Sequence, residues 1–291
     1  MRWAYNTNGL QSHRLDDALG LLADAGYEGV ALTLDHMHLD PVRAGPGEVA
    51  AVARQLRRLR LSCAVETGAR FVLDPRRKHG PGLCDPDPLG RLQRLDLLKR
   101  SLEIASELGA EVLNLPAGPR DGPRDGGPRE GPAADPAREA AAGTWLLEAL
   151  RELLERGLEL GLRVALEPEP GHWVATLAQH AALREQLPEL GLTLDVSHVS
   201  VTEPEGAPAE AIRAHAEALT LVHLEDAPRG VHQHLPFGEG ELDLSAVVRA
   251  LHEVRFGGLC AVELSRHSHA AHELVPRTLA TLRAAEEGLQ A

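Results

Sequence analysis

The chain has 291 residues, 43% of them apolar, and a formal net charge of −13. That length suits one α/β barrel, which takes about 250 residues, and the acidic balance argues against a nucleic-acid backbone as the main partner. Aromatic residues, at 3%, are too few for base-stacking platforms, and no apolar run is long enough to span a bilayer.

The opening Met1-Arg-Trp-Ala-Tyr-Asn6 has no apolar leader region and enters a strand pattern at once, so a cytoplasmic protein without membrane attachment is the expectation. Eight short β-like runs follow, at 3–7, 29–34, 61–67, 111–115, 163–167, 192–196, 219–224 and 259–264. Helical patterns separate them, as where Leu92, Leu95, Leu98, Leu102 and Ala105 recur at three- and four-residue spacing. Glycines just before strands, in Ala25-Gly26, Leu108-Gly109, Leu160-Gly161 and Leu190-Gly191, predict left-handed helix caps. Cys63 and Cys260 read as small core residues, whereas Cys84 lies in a loop and could be exposed; no C-x-x-C spacing suggests a disulfide framework or zinc knuckle. The basic run Pro75-Arg-Arg-Lys-His79 reads as a solvated loop with His79 on the surface. Between 117 and 136, ten of twenty residues are Gly or Pro, and such a stretch holds no regular element. It is expected to be an insertion, disordered rather than an ordered lid, on the C-terminal face.

Strict strand–helix alternation implies right-handed βαβ units and a parallel sheet. Eight units without a change of composition predict one α/β domain across 1–291, a closed (β/α)8 barrel. Asn6-Thr-Asn-Gly9 after the first strand is not a dinucleotide fingerprint.

Four late strands end in metal-capable side chains: Glu167, Asp195, His223 and Glu263. Strands of a parallel barrel read as near-continuous apolar sequence, so a charge at the last position faces the rim or the mouth. Each alone reads equally well as a rim charge. Four neighbouring strands ending this way converge on one cavity, where three carboxylates repel unless a cation joins them. One divalent ion answers that need, and this donor set does not choose among Mn²⁺, Mg²⁺, Co²⁺ and Zn²⁺.

The chain resembles the xylose isomerase-like TIM barrels over essentially its whole length. The resemblance is carried by L-E-P at 166–168, L-D-x-S-H at 194–198, V-H-L-E-D at 222–226, H-L-P-F-G-E-G-E-L-D at 234–243 and A-V-E-L at 261–264. It implies that Glu167, Asp195, His223 and Glu263 bind the metal, and that Glu167 and Glu263 are the paired acid and base. It further implies that His198 contacts the substrate or a second metal, and that Arg229 holds substrate oxygens. The implied activity is isomerisation or epimerisation of a small sugar, sugar phosphate or inosose, a polyhydroxylated substrate. The chemistry is coherent, because a Lewis acid acidifies a C–H beside a carbonyl and two carboxylates can remove and return the proton.

Alternatives within this resemblance are an inosose-type dehydratase and a non-catalytic metabolite-binding barrel. An endonuclease IV-like role in DNA repair is disfavoured, since Val65-Glu-Thr67 and Leu113-Asn-Leu-Pro116 lack the histidines its three-zinc site requires. Glu225 departs from the pattern, standing where related barrels often carry Lys; two residues after His223, it points into the same cup. Glu66, at the third strand's end, and His234, in the loop after the seventh, are further substrate-side candidates. Gly238-Glu-Gly240 is a turn beside that loop. His267, His269 and His272 read as a solvated helix start, and His172 as a packed loop residue. Homo-oligomerisation is left open by the sequence.

Overall fold

The computed structural model describes residues 1–120, 135–203 and 208–289. All eight predicted strands form, as β1 (Arg2–Asn6), β2 (Gly29–Thr33), β3 (Ser62–Glu66), β4 (Val112–Pro116), β5 (Arg163–Glu167), β6 (Gly191–Asp195), β7 (Leu219–Leu224) and β8 (Leu259–Val262). They pair in parallel in chain order, and β1 closes on β8 with Trp3 opposite Cys260 and Tyr5 opposite Val262. The predicted (β/α)8 barrel is the fold.

Around it lie α1 (Leu15–Ala25), α2 (Pro46–Leu59), α3 (Pro88–Leu108), α4 (Pro136–Glu159), α5 (Leu177–Arg184), α6 (Val196–Thr202), α7 (Pro208–Ala214), α8 (Leu244–Glu253) and α9 (Ala271–Glu287). Local signals set their ends. Asp87 caps α3 by accepting from the Leu89 amide, Pro88 sits where a missing N–H costs nothing, and Gly109 closes the helix at φ +70°. Gly26 and Gly161 likewise take positive φ. Gly191 does not cap a helix: it is the first residue of β6, where a Cβ would meet Thr220 Oγ1 of β7 at 2.5 Å. There glycine serves close strand packing.

Side chains alternate across each strand. Outward residues such as Val30, Leu32, Val65, Leu113 and Leu166 pack beneath the helices in the main core, each fully buried one contributing about 1.5–3 kcal/mol. Inward residues Ala4, Ala31, Ala64, Val112, Ala165, Leu221 and Ala261 belong to a second, smaller cluster inside the barrel. Two residues further along the same face stand Asn6, Thr33, Glu66, Asn114, Glu167, His223 and Glu263, with Asp195 in the same position above Thr193. The barrel interior is thus apolar below, Thr193 of β6 excepted, and wholly polar at its C-terminal end, where active sites of this fold are built.

Two loop expectations are corrected. Cys84 is buried, its thiol 3.6 Å from the Ala142 carbonyl, and burial pushes the thiol up to about 12. His79 is half-buried, with Nδ1 2.9 Å from the Gly68 carbonyl and its pKa brought down to about 4, chiefly by burial. One cause is Arg94 of α3, itself buried, whose guanidinium donates to the carbonyls of His79 and Pro81 and holds this loop against the barrel. The basic run is internally paired, with Arg77 bridging Asp74 at 2.9 Å and Asp85 at 2.7 Å. Of the Gly/Pro-rich stretch, 121–134 lies outside the described residues; Pro119 bridges His172, which is buried as expected. Among the described residues no helix is long and apolar enough to cross a membrane.

Candidate metal centre

Strand register assembles the site. Glu66 of β3 lies beside Asn114 of β4, and Asp195 of β6 beside His223 of β7, so each pair points into the barrel at one height. Glu167 ends β5, and Glu263 follows β8 by one residue. The L-D-x-S-H motif has a local cause. Asp195 is the N-cap of α6: its Oδ1 accepts from the Ser197 amide at 2.7 Å, the His198 amide at 2.9 Å and the Ser197 hydroxyl at 2.8 Å. With no loop between β6 and α6, His198 is fixed over the mouth, and Asp195 Oδ2 is left buried without a hydrogen bond.

Glu167, Asp195, His223 and Glu263 each offer a donor atom, all within 4.8 Å of one another. At their centre His223 Nδ1 lies 3.1 Å from Glu167 Oε1 and 3.0 Å from Glu263 Oε2. Its other nitrogen, Nε2, lies 3.0 Å from Glu66 Oε1. Asn114 Nδ2 donates to both Glu66 and Glu167 at 2.7 Å, and Asn8 Nδ2 donates to Glu263 at 2.6 Å.

Burial disfavours a charged imidazole, yet the surrounding carboxylates, Glu167 first, hold His223 well above its ordinary value. Glu263 is brought down to about 2: burial acts against ionisation, but the charge and hydrogen bond of His223 outweigh it. Glu167 is raised, burial prevailing there over the pull of His223 and His198. A single imidazolium cannot balance this many buried carboxylates. The chemistry of the set, three carboxylates and one imidazole with an orphaned Asp195 oxygen, fits a divalent ion of the Mn²⁺, Mg²⁺, Co²⁺ or Zn²⁺ kind.

Glu225 lies above His223 on the same strand face, 0% exposed, with neither carboxylate oxygen hydrogen-bonded. Burial and the charge of Asp195 push it up to about 8, as expected for another acid in this cup. His234 Nδ1 stands 3.6 Å from Glu225 Oε1 and is raised to about 10, the Glu225 interaction overcoming burial. His198 Nε2 lies 3.5 Å from Asp195 Oδ2 and 3.0 Å from His232 Nε2. Of the sequence-derived candidates, Arg229 alone is exposed, on the loop after β7; Glu66 faces His223 and Asn114. Gly238 takes φ +91° and donates its amide to Asp226, so the turn wraps a buried carboxylate.

Sequence reasoning missed Asn8, Asn114 and His232. Asn114 carries the signal that found its neighbours, a polar residue closing an apolar strand, but uncharged side chains were passed over. His232 had no such signal.

A model of the xylose isomerase-like TIM barrel family matches residues 19–285. Among solved structures the chain is similar to 3-keto-D-glucoside 4-epimerase from E. coli, apo form, at 19% identity, covering 98% of this chain and 99% of that one with a TM-score of 0.74. It is similar to the IOLI protein with a bound zinc atom, at 18% identity, 99% coverage of both chains and a TM-score of 0.74. D-allulose 3-epimerase from Methylomonas sp. in complex with D-allulose is similar at 17% identity, covering 98% of this chain and 96% of that one with a TM-score of 0.70. At such identities the structural likeness speaks for the fold alone. No curated protein sequence matches the chain.

Proposed function

The chain belongs to the xylose isomerase-like TIM barrel family, and from that premise we propose that it is a divalent-metal-dependent isomerase or epimerase of a small sugar, sugar phosphate or inosose. The observation that carries this reading is the convergence of Glu167, Asp195, His223 and Glu263 to within 4.8 Å. A divalent ion bound there supplies a Lewis acid for a substrate carbonyl or hydroxyl oxygen.

The chain's own residues provide the rest. Glu167 and Glu263 come from β5 and β8 and reach His223 Nδ1 from both strands, so one is positioned to remove a proton and the other to return one. Their environments differ: burial raises Glu167, whereas at Glu263 the charge of His223 outweighs burial. His223 would hold the ion through Nδ1, while Glu66 on Nε2 fixes the tautomer and ring orientation. Asn114 ties Glu66 to Glu167, positioning both. His198, His234 and Arg229 are assigned to the substrate side.

The test is solvent deuterium exchange into a panel of ketoses, sugar phosphates and inososes, with metal content measured on the same sample. Incorporation of deuterium without loss of water supports the reading, and a dehydrated product would move it to a lyase. Absence of bound metal, or full exchange by Glu263→Gln, would overturn it.

A further inference from the structure

We infer that Arg70, Lys78 and Arg266 form an anion subsite beside the metal centre, and that the substrate carries a phosphate ester seated there. The inference deepens the metal-dependent reading above and rests on it for the remainder of the substrate. Arg70 and Lys78 belong to the loop after β3, and Arg266 follows Glu263 by three residues after β8. Arg70 is built in: its Nη2 donates to Asp35 Oδ2 at 2.5 Å, and Asp35 is 0% exposed. Asp35 stands two residues beyond Thr33, where the Leu34 amide still donates to the Glu66 carbonyl of β3. Alternation along β2 therefore puts Asp35 on the inward side, one layer above the paired Thr33 and Glu66. Among the described residues the Asp35 bond is the only one the Arg70 guanidinium makes, so the rest of its fork is available.

Both loops are fixed in place. Ala69 and Phe71 hold positive φ, at +45° and +57°, and residues with side chains stay in that region only where their surroundings impose it. The Phe71 amide donates to the Lys78 carbonyl at 2.8 Å, and Arg94 holds the far end through the carbonyls of His79 and Pro81. The Arg266 segment is pinned by Gln11 Nε2, which donates to the Ser265 carbonyl at 3.0 Å, and by the Ser12 amide, which donates to Ser268 Oγ at 2.7 Å.

With 43 acidic residues against 30 Lys and Arg, a cation here has no shortage of carboxylates. Arg77 takes two, Asp74 and Asp85. Lys78 and Arg266 take none: among the described residues neither side chain makes a hydrogen bond or an ion pair. Yet the cluster is close enough to be felt. Burial foremost brings Lys78 below its ordinary value; Arg70 and Arg266 push the same way, and Glu169 and Glu263 oppose them. The rival account treats these cations as rim charges offsetting the acidic cup. It predicts direct pairs with those acids, but Glu169 is engaged by His172 at 3.2 Å, and Glu263 by Asn8 and His223. Three cations from two loops suit a phosphate ester, with a charge of about −1.5 to −2 and three strong acceptor oxygens. A carboxylate is satisfied by a single Arg fork.

Full-length protein loaded with Mn²⁺ is titrated by calorimetry with inorganic phosphate, D-fructose 6-phosphate, D-fructose and D-glucuronate. D-fructose 6-phosphate should bind at least about tenfold tighter than D-fructose, and inorganic phosphate should compete with it. Lys78→Gln and Arg266→Gln should each weaken both phosphates by about tenfold. That is the lower end for a hydrogen bond to a charged group, since both residues keep contact with solvent. Arg70→Lys keeps a charge for Asp35 but loses the fork, and should weaken binding less. Arg76→Gln, a neighbouring cation outside the cluster, should change nothing. Should one variant fold poorly by circular dichroism, the other loop's variant decides.

Phosphate binding that needs Mn²⁺ and is untouched by Lys78→Gln and Arg266→Gln would put the phosphate on the metal, overturning the subsite and sparing the metal centre. Phosphate binding that those variants weaken, in a protein that retains no metal, would support the subsite and sink the metal-dependent reading. An equal loss in Arg76→Gln, or D-glucuronate bound more tightly than D-fructose 6-phosphate, would overturn the phosphate assignment.

Discussion

Two buried imidazoles show how differently the two ends of this molecule treat a histidine. His180 of α5 is fully buried between helix and strand, its Nε2 3.0 Å from the Gly191 carbonyl, and burial brings its pKa down to about 4. His223, 1% exposed at the barrel mouth, is held well above its ordinary value by Glu167, Glu66 and Glu263. Burial alone neutralises a histidine; carboxylates converging from separate strands reverse the outcome. The outer layer is organised by packing and the mouth by charge, so substitutions in the two regions should fail in different ways.

The largest expected effect is at the mouth. Glu263→Gln and Glu167→Gln should each slow proton exchange between substrate and solvent by about 10²–10⁴-fold, the usual contribution of a general acid or base, read by NMR in deuterated buffer. Their thermal midpoints should move little. Next comes the reverse experiment in the packed layer. Leu102→Ala, at a fully buried position of α3, should lower stability by about 2–5 kcal/mol in urea unfolding, with activity per folded molecule retained.

The two imidazoles themselves give the third contrast. The folded pKa of His180, about 4, lies below the ordinary 6.5, so between those values the unfolded chain binds the extra proton. Stability should therefore rise with pH from about 4 to 6.5 and be lost as pH falls, by on the order of 3 kcal/mol at full extent. His180→Gln should flatten that part of the profile; an unchanged slope would show that His180 is not kept neutral. The smallest effect is expected for Glu66→Gln, which alters the far nitrogen of His223. Metal affinity should fall by about 10–100-fold, and a drop confined to substrate KM would place Glu66 on the substrate instead.

Much of this was legible before any coordinates. Glu167, Asp195, His223 and Glu263 each interrupt an apolar strand at its last inward position, and a charge in such a run has few places to go. Glu225 was visible for the same reason, two residues beyond His223. Asn114 obeyed the same rule but carried no charge to draw notice. Asn8 and His232 lie in connecting segments, where residue type says little about direction. Cys84 and His79 were misjudged because loop burial depends on what lies across from it, here the Ala142 carbonyl and Arg94. Gly191 looked like the other pre-strand glycines, yet its reason is the side chain of Thr220 on the neighbouring strand.

Sequence by itself determined the eight-fold alternation, the strands, and which inward positions carry acids, because period-two alternation and apolar burial are local properties of the chain. Tertiary structure decided which of those acids meet. Only the lateral register put Glu66 beside Asn114 and Asp195 beside His223, and only the fold of the loop after β7 brought His234 to Glu225. Those distances depend on hydrogen bonds between residues far apart in sequence, and in a region ruled by Coulomb forces a few ångströms separate a solvated rim charge from a binding site.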